Sequence, residues 1–166
     1  HTHYDHFSPE DINKIKKDST KIIIVKGGKE EAQKLIKEEN ILLVEPNNNY
    51  EIDGIKFSTT YAYNVNKKFH PKENMWTGYI IEFEGIKYYI AGDTDNIPEI
   101  QNIKCDIAFI PVGGTYTMDY KEAAELANTI EAKVVIPTHY GLIVGDKEDG
   151  KRFKKLVENK EVKVLI

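Results

Sequence analysis

The hydrophobic pattern at the start of the chain alternates between helix and strand. Ser8-Pro9-Glu10-Asp11 combines an N-cap residue, a first-turn proline and two acids, so it predicts a helix that runs to about Lys17. Apolar runs at residues 21–26 and 41–45 predict short strands, and the spacing of apolar positions between them predicts an amphipathic helix over 28–39.

The pattern in the middle of the chain predicts two β-hairpins. Residues 50–63 are strand-like and are interrupted at Asp53-Gly54, a turn dipeptide. Residues 78–83 and 86–91 flank Glu84-Gly85 and predict a second hairpin. The intervening residues 64–77 are polar and irregular, which predicts a long loop, and loops of this length in compact domains are often functional.

Helices and strands alternate again towards the C-terminus. The pattern predicts strands at 107–112, 133–137 and 162–166, with helices at 119–130 and 149–159. Asp119 and Glu122 have the spacing of a capping box at the start of the first of these helices. No repeat, linker or low-complexity tract interrupts the sequence, so we expect residues 1–166 to form a single mixed α/β domain.

The composition narrows the function classes. With 166 residues, 40% hydrophobic and 30% charged, the chain can bury one core. Its net charge of -4 gives no basic footprint, which weighs against a nucleic-acid partner. No apolar run is long enough for a membrane span and no signal-peptide pattern is present. The lone cysteine, Cys105, excludes an intrachain disulfide and a cysteine-rich zinc site, and we expect a cytoplasmic protein.

The first six residues, His1-Thr2-His3-Tyr4-Asp5-His6, are the densest candidate for metal binding. On an extended segment His1 and His3 point the same way and can share one ion, and a turn before Ser8 lets Asp5 and His6 face a second. Imidazole and carboxylate ligands suit zinc, and also iron or manganese. The alternative is a chance histidine-rich end or a tag remnant. Because chain ends fray unless tied down, we expect an upstream segment to precede these ligands.

Two other segments offer single candidate ligands. Gly92-Asp93 directly follows an apolar strand, and His139 ends a buried strand shortly before Gly141. A carboxylate beside a glycine can lean into a site without crowding the backbone. Either segment alone is weak evidence, because a turn or a structural histidine explains it equally well.

Taken together, these segments resemble the metallo-β-lactamase superfamily. The opening residues fit its H-x-H-x-D-H motif, Ala91-Gly92-Asp93-Thr94 resembles its strand-end aspartate, and Pro137-Thr138-His139-Tyr140 resembles its last histidine. Residues 111–118 resemble a stretch that is typical of one branch of the superfamily. That branch holds UPF0173-type metal-dependent hydrolases and relatives of ascorbate-6-phosphate lactonase. The resemblance implies an α/β fold, the αββα sandwich of this superfamily, without its first strands in the sequence given.

The sequence departs from the family pattern at one ligand. The resemblance implies a third histidine near Ala62-Tyr63-Asn64, where this chain has none. His70 is the one histidine outside the other motifs and is our candidate, with Asn64 as the alternative, either as an oxygen ligand or as a partner of the ligand. The Gly-His-Thr-x-Gly-Ser motif is also absent, which argues against true β-lactamases and glyoxalase II.

The resemblance implies a hydrolase with two divalent ions, zinc first and Mn²⁺ or Fe²⁺ as alternatives. A hydroxide bridging the ions would attack an ester, lactone or phosphoester of a small metabolite. Asp93 would bridge the ions, and Asp5 would orient the nucleophile or take its proton. Tyr116, Tyr140 and a water stay open as the acid for the leaving group. The implied ligands are His1, His3, Asp5, His6, His70, Asp93 and His139.

Two alternatives remain from the sequence. One is a phosphodiesterase acting on nucleic acid or a phospholipid head group, and the other is a non-catalytic metal-binding or interaction protein. The full ligand set argues against the second, because a decayed site should have lost ligands. Assembly into a homo-oligomer is left open.

Overall fold

A computed structural model describes residues 1–165 and confirms a mixed α/β fold with a large sheet. The chain divides into two compact units, the first spanning His1–Glu45 and the second beginning at Pro46. The prediction of a single domain stays a prediction. None of the helices within the described residues has the length and hydropathy needed to cross a lipid bilayer. The helices are α1 (Pro9–Ile15), α2 (Lys29–Gln33), α3 (Tyr120–Thr129) and α4 (Asp149–Leu156).

The first unit contains a two-stranded parallel sheet, as its apolar runs predict. Strands β1 (Ile22–Val25) and β2 (Ile41–Val44) pair in parallel, with Ile22 opposite Ile41. Helix α1 begins where the sequence predicts, because the Ser8 hydroxyl accepts a hydrogen bond from the Asp11 amide at 3.3 Å. It ends at Ile15, two residues before the predicted boundary.

Helix α2 is shorter than the sequence predicts. A helix over 28–39 was expected, yet α2 ends at Gln33 and a separate 3₁₀ turn forms at Glu38–Asn40. The Lys16 ammonium donates to the Leu35 carbonyl at 2.6 Å and so takes an acceptor that a continuing helix would need. The predicted length was wrong, and a contact between residues far apart in sequence lies just beyond the end of the helix.

The second unit is built on a seven-stranded sheet in which the strands lie side by side in sequence order. Both predicted hairpins are present, and their turn glycines, Gly54 and Gly85, have positive φ. The last helix and strand are shorter than predicted, and Ile166 lies outside the described residues. The strands are β3 (Asn49–Ile52), β4 (Ile55–Tyr61), β5 (Thr77–Phe83), β6 (Ile86–Ile90), β7 (Ile107–Pro111), β8 (Val134–Thr138) and β9 (Glu161–Val162).

The carboxyl ends of four strands lie at one side of this sheet. Strand β5 is antiparallel to both β4 and β6, so β4 and β6 run the same way. Strands β7 and β8 continue in parallel from β6. The carboxyl ends of these four strands therefore share one side of the sheet, which we call the carboxyl edge.

Helices α3 and α4 cover one face of the large sheet. Tyr89, Ala108 and Val135 are fully buried on neighbouring strands and belong to the same core cluster as Leu126 of α3 and Phe153 of α4. Alternate side chains of each strand point to this face, which explains why a continuous core forms there. The core fixes the strands whose ends make up the carboxyl edge.

The capping box of α3 generates a prediction on stability. The Asp119 carboxylate accepts from the Lys121 and Glu122 amides at 2.8 and 2.9 Å, and the Glu122 side chain accepts from the Asp119 amide at 3.0 Å. Asp119→Ala should lower the free energy of unfolding by about 0.5–2 kcal/mol, because helix amides lose their acceptor. Urea unfolding measures this, with Asp18→Ala in an exposed turn as control. Equal stability of the two variants would contradict the capping role.

Candidate metal centre

Two candidate ligands follow strands at the carboxyl edge. Asp93 comes after β6, next to Gly92, and His139 directly follows β8. One carboxylate oxygen of Asp93, Oδ2, lies 3.2 Å from Nε2 of His70 and 3.5 Å from Nε2 of His139. The side chains of His70 and Asp93 are only 1% and 4% exposed, and that of His139 is 17% exposed. Two imidazole nitrogens therefore converge on one largely buried carboxylate oxygen.

His70 is buried within the loop that the sequence predicts between β4 and β5. Its amide donates to Asn64 Oδ1 at 3.1 Å, and its carbonyl accepts from the Asn64 amide at 2.7 Å. On its ring, Nδ1 lies 3.0 Å from Asn64 Oδ1 and 3.1 Å from the Tyr116 carbonyl oxygen. Trp76 packs against the ring at a centroid distance of 5.4 Å. Asn64 thus contacts the Nδ1 side of the ring, and Asp93 contacts the Nε2 side.

Asp95 holds the start of this loop, a role that sequence reasoning missed. Its Oδ1 accepts from Asn64 Nδ2 at 3.0 Å and from Lys67 Nζ at 2.6 Å, and its Oδ2 accepts from the Val65 amide at 2.9 Å. The signal in the sequence was a second acid two residues after Asp93. Nothing in the local pattern connects that acid to a lysine 28 residues upstream.

The backbone at His139 is strained. Its φ is +57°, a left-handed conformation that costs a residue with a Cβ about 1–3 kcal/mol unless its surroundings enforce it. The His139 carbonyl packs so closely on Gly113 that a Cβ there would collide with it. Gly114 donates its amide to the Met118 carbonyl at 2.9 Å. Gly113 therefore allows a tight approach of two loops, and Gly114, with a positive φ, forms a turn within the loop that follows β7.

The opening residues form a turn rather than a long extended segment. The amides of His6 and Phe7 both donate to the His3 carbonyl, at 2.9 and 2.8 Å. Within this unit, ring nitrogens of His1 and His3 lie within 4.8 Å of each other. Asp5 Oδ2 lies 3.5 Å from His6 Nε2.

Each unit contains clustered side chains of the kinds that transition metals bind. In the opening turn the ring of His1 contacts the rings of His3 and His6, and Asp5 lies beside His6; at the carboxyl edge His70 and His139 lie beside Asp93. Imidazole nitrogen combined with carboxylate oxygen suits zinc, iron or manganese, whereas calcium and magnesium favour sets made of oxygen.

The structure separates the two tyrosines considered as proton donors. Tyr140 is 4% exposed in the hydrophobic core, where its hydroxyl packs against Gly150. Burial, and then the nearby Asp149 carboxylate, raise the pKa of Tyr140. Tyr116 is half-buried, and its ring meets the edge of Phe69 at a centroid distance of 4.6 Å. Of the two, only Tyr116 keeps exposure to the surface.

Known proteins resemble this chain over most of its length. The sequence model described as the beta-lactamase superfamily domain matches residues 1–139. A UPF0173 metal-dependent hydrolase of Thermoplasma acidophilum is 32% identical over all of this chain and 74% of its own length. Another from Thermococcus onnurineus is 31% identical over 70% of this chain, and this match spans about half of the relative, 54%. A candidate metal-dependent hydrolase of Parabacteroides distasonis, 30% identical, superposes with a TM-score of 0.84 over 99% of this chain and 72% of that structure.

The close approach of Gly113 to His139 generates a second prediction. Gly113→Ala should lower the free energy of unfolding by about 1–3 kcal/mol, because the new methyl group forces the His139 carbonyl away. The matched control is Gly27→Ala, since nothing lies within 4 Å of a Cβ at that position. Chemical denaturation of both variants gives the measurement. A Gly113→Ala protein as stable as the control would show that the loop yields without cost.

Proposed function

The chain belongs to the beta-lactamase superfamily, and from this premise we propose that it is a metal-dependent hydrolase with two divalent ions, zinc in first place. One ion would be held by three histidines and the other by two histidines and an aspartate, with Asp93 reaching both. The proposed ligands are His1, His3 and His70 for the first ion, Asp5, His6 and His139 for the second.

The observation that carries the proposal is the convergence of His70 and His139 on Asp93 Oδ2. A purely structural cluster needs only one protonated imidazole to neutralise one carboxylate. Two imidazoles aimed at one oxygen, on a loop and a strand end brought together from distant parts of the sequence, are the arrangement expected where a cation is shared. The convergence favours His70 over Asn64 as the third ligand of the first ion, because Asn64 Oδ1 faces the Nδ1 side of the His70 ring, away from Asp93.

Two ions bound there would supply Lewis acidity, making a bound water acidic and polarising the oxygen of the scissile group. The chain's own residues would do the rest. Asp93 is largely buried, so its charge would be poorly screened and would attract the ions strongly. The Asp5 side chain is 50% exposed beside His6, so Asp5 can accept a proton from the attacking water and pass it to solvent.

We propose an ester, lactone or phosphoester of a small metabolite as the substrate class. This rests on the relatives, which are named metal-dependent hydrolases, and on the residues at 111–118. The decisive experiment is metal analysis of the purified protein, followed by hydrolysis of lactones and of bis(p-nitrophenyl) phosphate before and after chelation. Metal-dependent turnover supports an enzyme, and the preferred substrate separates a lactonase from a phosphodiesterase. Stoichiometric metal without turnover would favour a binding protein.

The assignment of His70 has its own test. His70→Ala should lower metal content and turnover together, because the first ion loses a nitrogen ligand. Asn64→Ala should keep full metal stoichiometry at saturating zinc. Zinc stoichiometry and turnover of both variants decide between the two residues. A fully occupied His70→Ala protein, or an empty Asn64→Ala protein, would overturn the assignment.

A further inference from the structure

The hydrogen bonds around His70 fix which of its ring nitrogens carries a proton. Nδ1 faces the Tyr116 carbonyl at 3.1 Å and an Asn64 side-chain atom at 3.0 Å. A carbonyl oxygen can only accept, so the geometry requires a proton on Nδ1. In the neutral ring, the lone pair then lies on Nε2, the atom 3.2 Å from Asp93.

The orientation of the Asn64 amide supports the same tautomer. Its Nδ2 lies 3.0 Å from Asp95 Oδ1 and 2.9 Å from the Tyr116 carbonyl, and both of these oxygens are acceptors. The NH₂ group must therefore point towards them, which leaves the amide oxygen to face His70. Asp95 is thus one of the two acceptors that hold the Asn64 amide in the orientation that presents its oxygen to His70.

Asp95 is itself held by charge. Its carboxylate is 9% exposed and pairs with Lys67 Nζ at 2.6 Å, and the Lys67 side chain is 24% exposed. A hydrogen bond between charged groups with limited exposure is stronger than a neutral one. Because Asp95 also accepts from the Val65 amide, it ties down the backbone next to Asn64.

We propose that Asp95, held by Lys67, is a positioning residue that acts through Asn64 to keep His70 in its Nδ1–H form, with the Nε2 lone pair directed at Asp93. The second acid of Gly92-Asp93-Thr94-Asp95 is thus not a ligand. The link from this tautomer to metal affinity rests on the proposed function, whereas the tautomer itself does not.

The first measurement is made without metal. Long-range ¹H–¹⁵N NMR of the metal-free protein reports which ring nitrogens of each imidazole carry a proton. The His70→Ala spectrum identifies the His70 signals. We expect a proton on Nδ1 of His70, and we expect that proton to be protected from exchange with solvent. A His70 ring protonated on Nε2 alone would overturn the proposal.

Variants test the role of Asp95. Asp95→Asn should speed exchange of the Nδ1 proton and weaken zinc affinity, measured by competition with a chromophoric chelator, by about 10- to 100-fold. The matched control is Asp106→Asn, since Asp106 also pairs with a lysine, Lys133 at 2.7 Å, and accepts from a backbone amide, that of Lys87 at 2.9 Å. The control should change neither readout. A merely structural role for Asp95 would lower stability without changing either one.

A weaker variant covers the case in which Asp95→Asn fails to fold. Lys67→Met removes the ammonium and leaves the contacts of Asp95 with Asn64 and Val65, so both effects should appear in smaller degree. Variants of Asp95 and Lys67 that match Asp106→Asn in proton exchange and zinc affinity would refute the positioning role. If wild-type protein binds no zinc yet shows the expected tautomer and exchange pattern, the proposed function fails and the positioning of His70 stands.

Discussion

A carboxylate buried at the end of a strand is the constraint on which the carboxyl edge depends. Asp93 is 4% exposed, and removing an ionised carboxylate from water costs several kcal/mol unless positive charge and hydrogen bonds compensate. Imidazole nitrogens of His70 and His139 face its Oδ2. Protonated imidazole or a metal cation can supply the compensation, and a cation lets both histidines contribute at once. The long loop places His70 beside this carboxylate, and the end of β8 places His139 there.

The backbone conformation at the end of β8 places the second of these imidazoles beside Asp93. A residue that follows a parallel strand ordinarily has a negative φ, but His139 adopts a positive φ and its carbonyl packs closely on Gly113. Such conformations persist only where surrounding structure enforces them, and they concentrate at functional sites. Here the parallel pairing of β7 and β8 brings the two loops together, and a glycine at 113 provides the space. The position of the His139 imidazole thus depends on Gly113, a residue without a side chain that could bind a metal.

Sequence predicts those parts of the structure whose causes are local. The capping box at Asp119 and the turn at Asp53-Gly54 depend on residues a few positions apart, and both are present. The predicted end of α2 was wrong; just beyond the helix, the Leu35 carbonyl accepts from the Lys16 ammonium, 19 residues away in sequence. The sequence made His70 the candidate ligand with Asn64 as the alternative, but it did not show that a ring nitrogen of His70 faces Asp93. Motifs name the candidate ligands, but the residues that orient them are visible only in three dimensions.

The two acids of Gly92-Asp93-Thr94-Asp95 show how environment divides roles between identical side chains. Asp95 accepts hydrogen bonds from an ammonium, a side-chain amide and a backbone amide, which together satisfy its charge. Asp93 instead faces imidazoles, whose nitrogens can donate or can share a cation with it. An ammonium beside Asp93 would compete with a metal for the same oxygens. By pairing with Asp95, Lys67 adds positive charge to the loop and rigidifies it without occupying the place where a cation would bind.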